Sequence, residues 1–319
     1  MIDNKLITLL KLAELKKPSP RSNEILFDNA SVKNDIGESL SPDELSMTQP
    51  AVSHHIQQLE EEFKIRLVIR KKNDILLTEE GKIAVNYAKK ILALYEKMEQ
   101  EIKGYQRNIT NLRIGITHTS ESNIMMVVLA KCSNEIDNLN ITVITDTIKN
   151  LYSKLDNFEI DLAIIEEKAN PLKYKSLLLD TDYLVCILSK DNRLAKRSMI
   201  TINDLKKEKM ILRLPGSATR TQFHSTLIAM NESVEDFNVV LEVDNIATIK
   251  DLVRKNLGVS ILARSACLDE IKKNKLIALP IENLSMIRET NIVYNDSFNA
   301  ISILQEIYRI YQETKQTTL

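Results

Sequence analysis

The sequence predicts an α/β multidomain protein, and three successive patterns along its 319 residues support this fold class. Residues 1 to about 78 combine helical patterns with a short basic hairpin pattern. Residues 79–103 form one long amphipathic pattern with apolar positions near heptad spacing. From about residue 110, short β-branched runs alternate with helical patterns, which is typical of sheets covered by helices.

The composition and the absence of certain motifs exclude several classes of protein. The chain is 44% hydrophobic and 27% charged, as in globular proteins. It has no apolar run of about 18 residues and no secretory signal, so we expect a cytoplasmic protein without a membrane partner. Its 3 cysteines are scattered, and no His or Cys has metal-ligand spacing, so neither metal nor cofactor is predicted.

The densest functional pattern is a polar helix predicted within residues 45–63. Thr48 is suited to cap this helix and Pro50 to lie in its first turn. An apolar stripe on the helix would face the core and consists of Val52, Ile56 and Leu59. Hydrogen-bonding side chains occupy the other face, namely Gln49, Ser53, His54 and Gln57. A short helix with this division of faces suits the major groove, where glutamine can pair with adenine.

A basic hairpin pattern follows the helix. Two apolar runs in residues 64–78 flank a turn pattern, Lys71-Lys72-Asn73-Asp74. Five cations and no carboxylate lie between Lys64 and Lys72, and Arg70 is among them. Alone, such a run is typical of solvated surface. Directly after the polar helix, it is better interpreted as a wing whose Arg70, Lys71 and Lys72 contact phosphates.

In this order, these motifs resemble the signature of LysR-type transcriptional regulators. The matching segments are Gln49-Pro50-Ala51-Val52-Ser53, Leu59-Glu60-Glu61-Glu62 and Leu77-Thr78-Glu79-Glu80-Gly81. The resemblance implies a winged helix-turn-helix DNA-binding domain over residues 1–78 and a linker helix over 79–108. It also implies a C-terminal effector-binding domain over 109–319.

One segment departs from the family pattern. Residues 16–44 are some twenty residues longer than the short turn that the motif needs. Ser41 and Pro42 stand where the family has small helical residues. Two interpretations remain open: a loop insertion that leaves the scaffold intact, or a rebuilt supporting helix that weakens DNA binding or makes it conditional.

The long helix also has two interpretations, since it could pack on its own domain or pair with a second copy of the chain. Its apolar positions are Ala84, Tyr87, Ile91, Leu94, Tyr95, Met98 and Ile102. The position between two types of domain favours pairing. Together with the resemblance, pairing through this helix predicts a homodimer or homotetramer that binds double-stranded DNA. RNA polymerase is considered as a further partner.

The C-terminal pattern predicts strands at eight apolar runs, which are 112–116, 141–145, 160–165, 183–188, 210–214, 239–243, 258–262 and 290–294. Such alternation favours parallel sheets with ligands at the carboxyl ends of strands. The resemblance implies a sensor like periplasmic binding proteins, with subdomains at about 109–184 plus 289–319 and at about 185–288. Two crossover strands would join them, and a small-molecule effector would bind in the cleft between them.

Two stretches at predicted strand ends are candidates for the effector site. They contain Thr117, His118, Thr119 and Ser120 in the first stretch, and Ser217, Thr219 and Arg220 in the second. Hydroxyls and N–H groups at helix N-termini suit an anion, and an arginine could grip it with two donors. The competing interpretation is that these side chains only cap helices.

The sequence therefore predicts a DNA-binding transcriptional regulator controlled by a small, anionic metabolite. The alternative is a ligand-binding sensor with impaired or conditional DNA binding because of residues 16–44. An enzyme is not predicted and no catalytic residue is assigned, because no nucleophile elbow, P-loop or dinucleotide motif is present.

Overall fold

The computed structural model describes residues 4–14, 49–71, 74–107 and 109–318. The chain divides into two compact units, residues 1–99 and residues 100–319. The inserted segment 16–44 lies outside the described residues, as do Thr48 and Lys72. The two interpretations of that segment therefore stay open.

The first unit contains helices and one β-hairpin. In chain order these elements are α1 (Asn4–Glu14), α2 (Gln49–Phe63), β1 (Val68–Lys71), β2 (Asp74–Leu77) and the start of α3 (Glu79–Arg107). The strands β1 and β2 pair antiparallel, from Val68 opposite Leu77 to Lys71 opposite Asp74. The predicted hairpin is therefore confirmed. The helix α3 ends at Arg107, four residues beyond the amphipathic pattern of residues 79–103 and one residue before the end of the linker helix implied over 79–108.

One apolar core joins the elements of the first unit. Its buried members are Leu9, Leu10, Ile56, Leu59, Leu67, Val68, Val85 and Ala88. Ile56 and Leu59 belong to the stripe predicted to face inward, whereas Val52 is only partly buried. Burial of this stripe determines which face of α2 remains outside, because a helix presents opposite faces to core and solvent.

The junction between hairpin and long helix needs a glycine at residue 81. A Cβ atom on Gly81 would collide with the carbonyl oxygen of Leu67. That carbonyl accepts the N–H of Thr78 at 3.0 Å, and the Thr78 hydroxyl accepts the N–H of Gly81 at 2.9 Å. The Thr78 side chain thus caps α3, and the glycine permits the close approach of the two segments.

The second unit is an α/β unit. Its strands are β3 (Thr110–Ile116), β4 (Leu139–Thr145), β5 (Leu162–Ile165), β6 (Lys175–Leu188), β7 (Lys209–Arg213), β8 (Asn238–Val243), β9 (Ser260–Ala263), β10 (Ile277–Leu279) and β11 (Ile287–Tyr294). Its helices are α4 (His118–Glu121), α5 (Met125–Glu135), α6 (Ile148–Asp156), α7 (Ile202–Lys206), α8 (Ala218–Ala229), α9 (Ile246–Arg254), α10 (Leu268–Lys272) and α11 (Ile301–Thr318). Each of the eight predicted runs overlaps a strand, and five of them lie wholly within one.

The sheets are mixed rather than wholly parallel. Strands β3, β4 and β5 pair parallel, as do β7 and β8. However, β11 runs antiparallel to both β5 and β6, and β6 is also antiparallel to β9 and β10. The expectation of parallel sheets was thus wrong for β6 and β11, because these strands cross between two cores in opposite directions instead of following a helical crossover.

Two groups of buried side chains make separate cores within the second unit. One comprises residues between 184 and 286, including the sheet of β7 and β8. The other combines residues 112–179 with residues 292–311. The strands β6 and β11 run from one core to the other. The subdomain bounds that the resemblance implied stay a prediction. None of the described helices is both long enough and apolar enough to cross a membrane.

Candidate nucleic-acid interface and ligand cleft

The exposed face of α2 carries the side chains predicted to contact bases. His54 and Gln57 are exposed and Ser53 is half-buried. The amide of Gln57 donates to Glu61 at 2.9 Å on the same face. Because Ile56 and Leu59 hold the opposite face in the core, these polar groups point away from the unit and remain available to a ligand outside it.

Several other residues predicted to bind DNA can be placed only by their backbone. The helix α2 begins at Gln49, so Pro50 lies in its first turn as predicted. Arg70 and Lys71 lie in β1, at the end that leads to the turn of the hairpin. Thr48 and Lys72 are outside the described residues.

A buried carboxylate connects α2 to the hairpin. One oxygen of Glu60 accepts the N–H groups of Leu67 and Val68 at 2.8 and 3.1 Å, and the other accepts Arg66 at 3.2 Å. In the sequence Glu60 stands out only as part of a family motif, and this contact was not predicted from it. The carboxylate holds the first residues of the hairpin against the end of α2, and so sets the position of the wing relative to the helix.

We expect Glu60→Ala to loosen this connection selectively. Removal of the carboxylate leaves two buried N–H groups without an acceptor, at a cost of about 2 kcal/mol. If local opening exposes these amides, hydrogen exchange in peptides spanning residues 64–71 should be about 30-fold faster. Glu61→Ala on the exposed face is the matched control. Equal exchange in the two variants would contradict the structural role of Glu60.

The long helix α3 presents an exposed apolar stripe. Its members are Ile83, Tyr87, Ile91, Leu94, Met98 and Ile102. Five of the seven predicted apolar positions lie in this stripe, whereas Ala84 packs on the core of the first unit and Tyr95 is half-buried. Since an extended exposed apolar stripe is typical of an interaction surface, this face is available to a second helix.

The second unit contains a cleft of about 830 Å³ between its two cores. It is lined by α6, the segment after β5, the first turns of α8 and the start of β11. The lining residues are Ile148, Lys149, Tyr152, Glu166, Glu167, Lys168, Gly216, Ala218, Thr221, Gln222, Ser225, Ile287, Arg288 and Glu289. Three of these side chains are carboxylates and three are basic groups, so the cleft is strongly polar.

The buried carboxylate of Glu166 accepts hydrogen bonds from the hydroxyl groups that were predicted to bind an anion. The Thr117 hydroxyl lies 2.6 and 2.7 Å from the two oxygens of Glu166, and the Ser120 hydroxyl donates to Oε1 at 2.7 Å. Thr117 also accepts the N–H of Ser120 at 3.1 Å as the cap of α4. This N–H occupies a lone pair of the Thr117 oxygen and thereby directs the hydroxyl proton toward Glu166.

Arg288 is the buried cation of the cleft. Its side chain is only 3% exposed, and Nη2 lies 3.5 Å from Asp182 while Nη1 lies 3.5 Å from the Thr219 hydroxyl. Both distances are long for hydrogen bonds, and Nε has no partner. A buried guanidinium whose donors are incompletely satisfied is costly, so this site favours an acceptor from a ligand.

The seven residues predicted to bind the effector lie outside the lining of the cleft. Thr117, Ser120 and Thr219 contact lining residues from behind, through Glu166 and Arg288. Ser217 caps α8 by accepting the N–H of Arg220 at 3.2 Å, as the capping interpretation predicted. The predicted stretches thus reach the edge of the cleft, while other side chains line it.

Arg220 and His118 bind carboxylates of the chain. The Arg220 guanidinium lies 3.2 Å from Glu242 on β8. His118 lies 3.6 Å from both Glu121 and Asp244. Thr119, between the two capping hydroxyls, is buried. The role of these residues toward an effector stays a prediction.

The thiols are buried and poor nucleophiles. Burial raises the pKa of Cys132 to about 11 and, despite the nearby Lys250, that of Cys267 to about 12. Burial also raises the pKa of Cys186 well above its usual range. Within the described residues, no group of His, Cys, Asp and Glu side chains could hold a metal ion.

Family models match both parts of the chain. The model described as "LysR substrate binding domain" matches residues 106–313, which are more than half of the chain. The model described as "Bacterial regulatory helix-turn-helix protein, lysR family" matches residues 43–82. The second match contains α2, the hairpin and the start of α3, and the first contains the cleft.

Relatives and solved structures agree with these matches. A "Probable RuBisCO transcriptional regulator" from Thalassiosira pseudonana is 28% identical over 259 residues, 79% of this chain and 84% of the relative. CysL, an HTH-type transcriptional regulator from Bacillus subtilis, is 25% identical over 254 residues, 79% of this chain and 84% of the relative.

The structural likenesses concern the fold alone, because the identities are low. A full-length OxyR variant from Pseudomonas aeruginosa has a TM-score of 0.58 at 18% identity, over 83% of this chain and 88% of that chain. The regulatory domain of Synechocystis CcmR in complex with 2-PG has a TM-score of 0.56 at 20% identity, over 63% of this chain and 97% of that chain. With the family models matching both the helix-turn-helix and the larger α/β unit, this chain belongs to the LysR family of transcriptional regulators and combines a DNA-binding domain with an effector-binding domain.

Proposed function

We propose that the chain reads DNA through the exposed face of α2 and responds to a small molecule in the cleft of its second unit. The observation that carries the DNA-binding part is the division of α2 into a buried apolar face and an exposed face with Ser53, His54 and Gln57. A helix of this kind enters the major groove in helix-turn-helix proteins, with cations of a wing on the phosphates. The proposal also assigns to DNA, from the sequence pattern, the side chains of Thr48, Gln49, Pro50, Arg70, Lys71 and Lys72.

The working assembly in this proposal is a homodimer or a homotetramer. The exposed stripe of α3 supports pairing of two chains, and two chains place two recognition helices on an interrupted dyad-symmetric site. RNA polymerase is proposed as a further partner, in a cytoplasmic setting. We further propose that the chain is not an enzyme, since the family consists of transcriptional regulators.

The effector part of the proposal rests on Arg288. A cleft between two cores can change its opening when a ligand binds, provided that the ligand favours one arrangement over the other. Arg288 supplies a buried cation with an unused donor at the base of such a cleft. A ligand group that accepts from this arginine would couple binding to the relative angle of the two cores.

A fluorescence-anisotropy titration tests the DNA-binding part. The full chain should bind DNA from upstream of its own gene selectively, with affinity falling about 10³-fold between roughly 50 and 200 mM salt. His54→Ala with Gln57→Ala should reduce discrimination against unrelated DNA and preserve the salt dependence, because base contacts specify and phosphate contacts do not.

The same titration distinguishes the alternative function. A folded, dimeric chain that binds no DNA above background, while it still binds a small molecule, would favour a sensor impaired by residues 16–44. In that case, a variant with this segment shortened to a tight turn should recover DNA binding. Failure of both versions to bind would contradict the proposed function.

A further inference from the structure

The ionisable side chains of the cleft balance one another. Basic and acidic groups line it in equal number: Lys149, Lys168 and Arg288 against Glu166, Glu167 and Glu289. A simple anion attracted by the bases would also be repelled by the acids of the same cleft. A ligand with both signs of charge can use both sets, so the balance of charges is informative about the ligand.

The carboxylates of Glu166 and Glu167 belong to the lining of the cleft. Lys168 pairs with Glu289 at 3.2 Å, and no ion pair within the described residues involves Glu166 or Glu167. Glu166 accepts neutral hydroxyl donors, which satisfy its oxygens without neutralising its charge. Two adjacent acidic side chains therefore line the cleft without an ion pair among the described residues, in the same cleft as Lys149 and Lys168.

The pKa of Glu167 supports the description of these two carboxylates as a site suited to a cation. Burial raises the pKa of Glu167 above its usual range, and the charge of Glu166 adds to the increase while a hydrogen bond with Tyr152 opposes it. Desolvation and a like charge both disfavour the ionised form. A cation bound between these two glutamates would relieve both penalties.

Arg288 on β11, the strand that pairs with β5, offers the opposite charge. The nine-tenths-buried side chain of Arg288 has an unpartnered Nε and two long contacts. The hydroxyls of Thr117 and Ser120, predicted to serve an anion, are already occupied by Glu166. Arg288 is therefore a buried cation of the cleft that an anionic group of the ligand can contact, and Lys149 is an exposed one. The role of the two hydroxyls toward an anion stays a prediction.

We infer that the effector is an amino-acid-like zwitterion, with its carboxylate on Arg288 and its ammonium group on Glu166 and Glu167. This inference rests on the proposed role of the cleft as the effector site. An ammonium offers three donors to carboxylate oxygens, and a carboxylate offers two acceptors to a guanidinium. The inference narrows the anionic metabolite predicted from sequence to a molecule that also carries a positive charge.

The test compares each amino acid with the acid that lacks its amino group. The probes are the twenty standard amino acids and their 2-oxo acids, for example alanine against pyruvate and glutamate against 2-oxoglutarate, with inorganic phosphate as a plain anion. Thermal unfolding of the full chain identifies binders and calorimetry gives their Kd. We expect at least one amino acid to bind about 100-fold more tightly than its 2-oxo acid, because the latter loses charge-assisted hydrogen bonds.

A substitution at Glu167 tests the contact with the ammonium group separately from the contact with the carboxylate. Glu167→Gln should weaken binding of that amino acid about 10-fold and leave binding of its 2-oxo acid unchanged or stronger, because only the ammonium loses a charged partner. Glu289→Gln is the matched control, since Glu289 already pairs with Lys168. An equal loss in both variants would overturn the assignment of the ammonium to Glu167.

Other outcomes distinguish a failure of the zwitterion proposal from a failure of the proposed function. Should 2-oxo acids or phosphate bind as tightly as the amino acids, with binding dependent on Arg288, the effector cleft would stand and the zwitterion would be wrong. A chain that binds none of the amino acids would also contradict the zwitterion. The DNA titration then judges the proposed function independently.

Discussion

Replacement of Ile91 and Leu94 by glutamate is expected to convert the protein to monomers and to weaken operator binding by about 100-fold or more. These side chains are 45% and 44% exposed in the centre of the apolar stripe on α3. Two added charges on each of two facing helices would repel and would have to be desolvated. Since the linked half-sites are then lost, each recognition helix binds with only its own affinity.

Sedimentation and anisotropy titration measure the two consequences together. The control variant carries Asn86→Glu with Gln100→Glu, which adds the same charge at exposed positions of α3 away from the stripe. We expect the control to keep the mass and affinity of the original protein. A dimer of full affinity in the Ile91 and Leu94 variant would contradict pairing through α3.

The second large effect concerns the arginines of the effector-binding domain. Arg288→Gln should weaken binding of the tightest ligand in the panel of amino and 2-oxo acids by about 100-fold, the value of a lost charge-assisted bidentate contact. Asp182 keeps the Ser265 hydroxyl as a donor at 2.7 Å, so the buried carboxylate left behind is not without a partner. A double variant with Asp182→Asn removes that charge as well and controls for instability.

Arg220→Gln is the matched comparison, because the sequence analysis predicted that arginine as the cation of the effector site. In the structure it pairs with Glu242 and lies outside the lining of the cleft. We expect calorimetry to show a change of less than about 10-fold for this variant, the scale of a partly exposed ion pair. Loss of ligand binding in Arg220→Gln, with binding intact in Arg288→Gln, would reverse the assignment in favour of the sequence-based prediction.

Local patterns were sufficient for most of the fold. Each of the eight apolar runs overlaps a strand, the two strands of the predicted hairpin pair from Val68 opposite Leu77 to Lys71 opposite Asp74, and α2 buries Ile56 and Leu59 as its spacing indicates. These features depend on neighbours within a few positions of the chain, such as helical spacing and capping side chains. The direction of strands β6 and β11 depends instead on contacts between distant parts of the chain. For these two strands the expectation of parallel sheets was wrong.

The functional residues likewise fall into those that sequence patterns indicate and those that only the tertiary structure reveals. The motif that ends in Gly81 could be identified from sequence, but the reason for the glycine is the carbonyl of Leu67, brought near by the hairpin. Glu166 could have been noticed, because two carboxylates follow a buried strand that we expected to run parallel to the strand before Thr117. Nothing in the neighbourhood of Arg288 indicates that it is buried.

The sequence by itself thus determined the family, the succession of elements and the face of α2 that stays exposed, since each follows from spacing and residue type over short distances. Only the tertiary structure decided which charges meet in the cleft. Glu166 reaches Thr117 over 49 positions, and Arg288 reaches Asp182 over 106. Such pairs form because strands from distant parts of the chain lie side by side, and their burial strengthens the interaction between the charges they bring together.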